Sequence, residues 1–377
     1  MSLRLVIKGF KSIEQAELEL RPLTILIGPP GSGKSNTLEA LGSFTYFTYG
    51  GRLEDYFRWE SLAALSHELV YPEAYVGIYE ADKKLASLRM GFGDERVNVI
   101  VEVMQSKIDT AYYYNGNMVT YPSKPPEELE ALLRIRFYRY IPKPSSAHVQ
   151  RYDGYITRGI SSHDIKLYEE LLGSILMPPA GDNLIGLAKA NREVSKLISE
   201  ILEGKLGYTG IAVMKVPIPS GPPIEQIVVL DKRDDMTTLI PLNLLSDGII
   251  QYLLVAIALK ARPPERIPTI IPDIIVLEEP ESHLFPYLVN TMAEDLAKAA
   301  QNGTYVMLST HNPYLLVALL EKAPKDKLAL YYVYMDEERR KTRFARVGDD
   351  LIGEILDYEY ASLFTIEDIL RDSGLIK

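Results

Sequence analysis

Cysteine is absent from the 377-residue chain. That removes disulfides, thiolate metal sites and a cysteine nucleophile. No run reaches the roughly 18 consecutive apolar residues that a bilayer-spanning segment needs. A basic-then-apolar leader is also missing, because Met1–Lys8 alternates like a strand. A soluble, cytoplasmic protein with no membrane contact is therefore expected. An excess of basic charge is lacking too: the net charge is −10. This argues against a wholly basic nucleic-acid coat and leaves room only for a local basic stripe. Internal repeats, low-complexity tracts and sustained heptads are missing. What remains is a globular composition, 47% hydrophobic. The length suggests two to three units at roughly 150 residues each.

The most informative segment is Gly28-Pro29-Pro30-Gly31-Ser32-Gly33-Lys34-Ser35, a full match to G-x-x-x-x-G-K-[ST]. It follows the apolar run Leu23–Ile27 and precedes a helix-like run from Asn36 to Leu41. Strand, glycine loop and helix is the context such a loop requires. Its glycines let successive N–H groups turn inward on a phosphate chain, and the helix adds its positive end. Lys34 is placed to reach the β- and γ-phosphates of ATP, and the Ser35 hydroxyl to ligate Mg²⁺.

A second signal is Ile274–Glu281, an apolar strand running into acidic residues. Ligands of open α/β sheets bind at that end of the strands. Glu278 is assigned to the metal, directly or through water, and Glu279 to orienting and deprotonating the attacking water. Asp is the usual residue at the first position, and Glu278 is one methylene longer. Ser309–Pro313 closes the next strand with His311, placed to hydrogen-bond the γ-phosphate or the water. His283 sits at a subunit junction or caps a helix; both readings stay open. Ser246 reads as the N-cap of a helix, and Gly248 as a point of close backbone approach. A hydroxyl with free N–H groups at a helix start is an anion site. A second such site beside the phosphate loop suggests the γ-phosphate of a neighbouring copy.

Elsewhere the first 27 residues read as strands, and residues 65–121 as β-rich, with a hairpin turn at Asn115-Gly116. Helical periodicity appears over Asp164–Leu176 and Asn183–Leu202, and strand patterning over Tyr208–Ile240. From Gly248 onward helix and strand alternate, which implies a parallel sheet with crossover helices. The tail adds a hairpin near Glu337–Lys341 and a helix with Thr365 as its N-cap. Three parts follow: 1–64 with the phosphate loop, 65–240 as a β-rich and helical insert, and 241–377 as the remaining ATPase lobe. Arg134–Tyr140 interleaves cations with aromatics, either as a nucleic-acid surface or as a strand with a solvated arginine face. Arg339, Arg340, Lys341, Arg343 and Arg346 form a second basic cluster, either a contact surface or a solvated hairpin tip.

These motifs, in this order, resemble the ABC-class ATPase heads of the SMC/RecF/OLD superfamily. Ile7–Ile13 is similar to the first strand and turn of those proteins. Gly28–Asn36 is similar to Walker A, Leu245–Gln251 (LSDGIIQ) to the signature, Ile274–Pro286 (IIVLEEPESHLFP) to Walker B and D-loop, and Ser309–Pro313 to the switch-histidine segment. Pro179–Leu184 is similar to a P-x-G-x-N-L turn of short stand-alone members. The resemblance implies an α/β fold, a P-loop NTPase with a mixed, largely parallel sheet plus inserted β-rich and helical lobes. It implies ATP and Mg²⁺ as ligands and an ATP-dependent homodimer with two nucleotides between the copies. Gly28–Asn36, including Lys34 and Ser35, bind nucleotide in cis, and Ser246 and Gly248 in trans. Glu279 is then the catalytic base, His311 the γ-phosphate sensor and Glu278 a metal ligand. DNA or a partner nuclease is the implied downstream target; a regulatory ATP-binding subunit acting on a protein partner is the alternative. Three departures stand out: Pro30 in the loop, LSDGI in place of LSGGQ, and a Q-loop glutamine for which Gln105 and Gln150 are the candidates. Between Ser35 and Ser246 no heptads support long coiled-coil arms. After Walker B no carboxylate set supports a fused nuclease of the OLD type. The strand end EEPESHLFP also argues against a transporter subunit.

Overall fold

The structure, a computed structural model, describes residues 2–58, 61–67, 71–119, 125–139, 157, 164–218, 221–233, 236–336, 338, 340–357 and 363–376. Leu3–Phe10 (β1) and Ile13–Leu20 (β2) pair as an antiparallel hairpin. They bury Leu3, Leu5, Ile7, Ile13, Ala16, Leu18 and Leu20 on one face and turn charges outward. Leu23–Ile27 (β3) then enters a different sheet. Glu73–Glu80 (β4), Lys83–Phe92 (β5), Arg96–Val103 (β6) and Ser106–Tyr113 (β7) extend the first hairpin into one antiparallel sheet, ordered β2-β1-β4-β5-β6-β7. The turn after β7 forms where the Asn-Gly pair stands, with Gly116 at φ +86.

Ile135–Arg139 (β8) returns to the sheet that holds β3. Gly210–Ile218 (β9), Gly221–Arg233 (β10) and Met236–Pro241 (β11) make a separate antiparallel sheet ordered β11-β10-β9. Ile274–Glu278 (β12), Tyr305–Ser309 (β13), Leu328–Asp336 (β14) and Lys341–Val347 (β15) complete the second sheet, ordered β15-β14-β3-β13-β12-β8. All its pairings are parallel except β14 with β15. The stretch 65–240 is thus not one separate insert. Its β4–β7 continue the sheet that β1 and β2 begin, and its β8 is an edge strand of the parallel sheet.

β3, β12 and β13 are buried along their whole length, as strands covered on both faces must be. Alternate side chains divide between two cores. Leu26, Ile274, Val276 and Met307 join the Lys34–Tyr49 helix and the antiparallel sheet. Ile25, Ile27, Ile275, Leu277 and Leu308 face the other core, built on helices Asp247–Lys260, Pro286–Gln301 and Pro313–Lys322. Among the described residues no helix is long and apolar enough to cross a membrane.

The helical patterning over 164–202 resolves into shorter pieces. Asp164 caps Ile165–Leu172, and Asn191 interrupts the second run and caps Arg192–Ser199, which continues as a π-turn to Lys205. Thr365, expected as an N-cap, lies inside the last helix, Leu363–Asp372. The Pro179–Leu184 turn is knotted by Asn183. Its amide donates to the carbonyls of Leu172 (2.8 Å) and Ile175 (2.9 Å) and accepts from the Met177 N–H (2.8 Å). Replacing a side chain that meets three backbone partners leaves them unsatisfied. Asn183→Ala is expected to lower stability by about 2–4 kcal/mol in urea denaturation.

Candidate nucleotide site at the strand ends

The site is built by register. Glu278, last in β12, stands opposite Arg139, last in β8, and Ser309, last in β13; Ser309 in turn pairs with Leu26 of β3. Four parallel strands therefore end side by side, and the segments leaving them meet over one patch. The loop after β3 contributes Pro30 to Asn36, and with Arg58, Glu279 and His311 these line a pocket of about 200 Å³.

Within the loop, Gly33 sits at φ +104 as the residue before the helix. A Cβ there would stand 2.0 Å from the Thr342 hydroxyl of β15, so no larger residue fits. Thr342 Oγ1 donates to the Ser32 carbonyl (3.0 Å) and bonds Ser12 Oγ (2.6 Å), to which Asn36 Nδ2 also donates (2.7 Å). Lys34 folds back on its own loop and donates to the carbonyls of Gly28 (2.8 Å) and Pro29 (2.9 Å). Burial pulls the Lys34 ammonium down to about 8; nearby Glu279 and Glu278 oppose this, and Arg58 adds to it.

Glu278 is buried, with an arginine on each oxygen: Arg58 Nη2 on Oε1 (2.7 Å) and Arg139 Nε on Oε2. Burial alone would raise its pKa, but Arg139, the Ser35 hydroxyl and Arg58 bring it below the usual carboxylate range. Arg139 also donates to Oε1 of Glu39 (2.7 Å), a fully buried residue of the Lys34–Tyr49 helix, and Lys11 pairs with the other Glu39 oxygen. Lys11, Glu39, Arg139, Glu278 and Arg58 thus alternate in sign from the β1–β2 turn to the pocket wall.

Glu279 adopts φ +42, a left-handed conformation that costs a non-glycine residue about 1–2 kcal/mol. Its N–H donates to the Ser309 carbonyl (3.1 Å), and its Oε1 lies 3.6 Å from His311 Nε2. Burial and the Lys34 charge hold the His311 pKa below its ordinary value, against the pull of Glu279. Glu281, two residues on, is buried and accepts a hydrogen bond from Thr310 Oγ1 (2.5 Å).

Ser246 and Gly248 do not join this pocket. Ser246 is exposed at the N-cap of Asp247–Lys260, and its side chain makes no capping bond. Gly248 is a close approach: a Cβ would come within 2.3 Å of the His283 carbonyl oxygen. His283 is exposed at φ +67 and is not a helix cap, since Phe285 holds that position before Pro286. Gln105 is exposed on the β6–β7 turn and is not among the residues that line the pocket, and Gln150 lies outside the described residues.

The first basic segment departs from both readings. Arg134 and Arg136 form neither a nucleic-acid face nor a solvated one. They are buried, donating to the carbonyls of Pro268, Ile267 and Ala261 and facing Asp273. In the tail cluster, Lys341 pairs with Glu14 (2.7 Å), Arg343 with Asp336 (3.5 Å) and Arg346 with Glu19 (3.6 Å), while Arg339 lies outside the described residues. Sequence reasoning missed Arg58, Arg139 and Glu39 as members of the site. No local pattern marks them, because their partners are remote in the chain.

A phosphate loop at the carboxyl end of a parallel sheet, flanked by Glu278, Glu279 and His311, defines an ABC-class P-loop ATPase of the SMC/RecF/OLD type. The chain belongs to the family described as "AAA domain, putative AbiEii toxin, Type IV TA system", whose model matches residues 23–318. It is similar to the OLD nuclease of Thermus scotoductus, 24% identical over 369 residues, covering 89% of this chain. The chain spans 65% of the length of that nuclease. Among solved structures it resembles an Smc head bound to the C-terminal winged-helix domain of ScpA, with TM-score 0.54, 16% identity and 93% and 98% of the two chains covered. It also resembles an Smc head with an extended coiled coil bound to a ScpA domain from Pyrococcus furiosus, with TM-score 0.50, 14% identity and coverage of 94% and 98%. These likenesses show the fold.

The two arginines on Glu278 differ in burial, and stability measurements can separate them. Arg139→Met strands two buried carboxylates and is expected to cost about 3–5 kcal/mol. Arg58, whose side chain is 58% exposed, is expected to change stability by less than about 1 kcal/mol when replaced by Met. Urea denaturation of both variants checks the contrast.

Proposed function

We propose that the pocket binds ATP with Mg²⁺, hydrolyses it, and gates the pairing of two copies. The observation that carries this reading is the convergence of Pro30–Asn36, Glu279 and His311 on one pocket, beside Glu278, whose charge the Ser35 hydroxyl favours. The donor chemistry suits Mg²⁺: a hydroxyl and a carboxylate are hard oxygen ligands, and the ion takes one or two such groups plus phosphate oxygens. Among the described residues no cluster of three or more His, Cys, Asp or Glu forms a self-sufficient cage. When bound, Mg²⁺ draws charge from the β- and γ-phosphates.

Lys34 leaves the Gly28 and Pro29 carbonyls for the phosphates, and the loop N–H groups hold the rest of the chain. Arg58 adds a second cation from the pocket wall. Glu279 orients the attacking water and accepts its proton, while His311, largely neutral at pH 7, meets the γ-phosphate or the same water. Ser246, exposed at its helix start and making no capping bond of its own, is offered outward to the γ-phosphate of a second copy. ATP contacts present only in the paired state shift the population toward it, and hydrolysis releases it.

A role in DNA maintenance, repair or defence, acting on DNA or with a partner nuclease, is supported by the similarity to a nuclease and to Smc heads. The second reading, an ATP-binding subunit that regulates a protein partner, is favoured by the burial of Arg134 and Arg136 and by the net charge of −10. A salt-dependent DNA shift at physiological ionic strength supports the first; a stable protein complex without one supports the second.

Lys34→Ala is expected to weaken ATP binding by about a hundredfold or more, read by titration with a fluorescent analogue. Unchanged affinity removes the loop assignment. Glu279→Gln is expected to bind ATP normally, to turn over about 10²–10⁴-fold more slowly, and to elute as a dimer with ATP. A variant that stays monomeric under light scattering rules out the trans role of Ser246.

A further inference from the structure

The segment Glu279–Leu284 is unusual in its backbone. Glu279 (φ +42) and His283 (φ +67) are both left-handed and neither is glycine. Such conformations persist only where the surroundings over-determine them. Here the turn closes on itself through Ser282 N–H to the Glu279 carbonyl (3.0 Å) and Leu284 N–H to the Glu281 carbonyl (3.0 Å). Its far end is pinned where the His283 carbonyl meets Gly248. Its middle is held by Glu281, only 7% exposed, on the Thr310 hydroxyl. The backbone N–H of His311 also acts on the Glu281 carboxyl, and Thr310 Oγ1 accepts from the Asn312 N–H (2.9 Å).

A carboxyl is a costly side chain to bury if packing is its only task, since an apolar residue of similar size does that better. The second oxygen, Oε2, is buried with no hydrogen-bond partner among the described residues. Burial pushes the carboxyl up to about 7, which marks how little water reaches it. Among the described residues, Thr310 is the side chain that bonds this carboxyl. That bond ties the turn after β12 to the residue that directly precedes His311.

We propose that Glu281 is a positioning residue whose bond to Thr310 clamps the left-handed turn and so fixes Glu279 against His311 and the pocket. Neither Glu281 nor Thr310 lines the pocket. Both act through their neighbours. The inference rests on the reading of Glu279 as the base and adds to it the part that holds the base in place. The same turn carries the Gly248 contact, so the clamp also sets the exposed Ser246 helix start relative to the catalytic pair.

The test uses the full chain and three variants. Thr310→Val keeps the shape and removes the donor. It is expected to lower kcat about tenfold or more while KM for ATP stays within about twofold, because a small misplacement of a base affects the chemical step and not nucleotide binding. Thr310→Ser restores the donor and is expected to recover kcat to within about threefold of the parent. Glu281→Gln keeps an acceptor oxygen and is expected to behave like the serine variant. A Thr310→Val protein with parental kcat overturns the proposal. So does one whose KM rises in step with its loss of kcat and of thermal stability. Inactive Glu281→Gln beside active Thr310→Val also overturns it, since Glu281 would then act by its charge. A second readout does not depend on turnover. The His311 imidazole, followed by NMR, titrates at lower pH in Thr310→Val than in the parent, because Glu279, which raises its pKa, drifts away. Unchanged titration counts against the clamp. Absence of ATP turnover in the parent protein defeats the hydrolytic reading instead, and the His311 titration then judges the clamp alone.

Discussion

Parallel strand register is the constraint on which the candidate chemistry depends. Arg139, Glu278, Ser309 and Leu26 stand at one level because β8, β12, β13 and β3 are hydrogen-bonded in step. A side chain at a strand end is fixed by the whole ladder behind it, and crossover helices bury both faces of that ladder. The phosphate loop, the acidic turn and the histidine segment are simply what the chain does on leaving these strands. The pocket is therefore a property of the sheet edge and not of any single loop.

Charge placement follows from the same geometry. Glu39 on the loop helix and Glu278 on β12 are both buried, and each oxygen of both carboxylates meets a cation. Burial alone would neutralise Glu278, and its two arginines with the Ser35 hydroxyl keep it charged. The result is a Glu278 carboxylate held in its charged form beside the pocket. Its two arginines differ in character: Arg139 is enclosed, whereas Arg58 stands exposed at the pocket wall.

Much of this was legible in the chain, and the limits have physical reasons. The phosphate loop, the Glu278–Glu279 pair and the His311 segment each carry their signal within a few consecutive residues, so residue types and spacing alone mark them. The alternation of helix and strand after Gly248 gave the parallel sheet. Arg134, Arg136 and Arg139 misled, since a strand with regularly spaced cations looks solvated unless its partners are known. Asp273 and Glu278 lie some 140 positions away and are brought beside them only by β8 pairing with β12. For the same reason residues 65–240 read as a continuous insert, because edge membership of β8 is a tertiary fact. The Ser246 cap was half legible: the helix begins there, yet the hydroxyl leaves its own helix unserved.

Thr342 shows that the glycine loop does not shape itself. Its hydroxyl reaches the Ser32 carbonyl and Ser12, and its position is what forbids a side chain at Gly33. Loop and wall are 310 positions apart in the chain, so the wall is in place only once β15 has joined the sheet. A fragment that stops short of β15 carries the whole glycine motif and lacks the contact that moulds it.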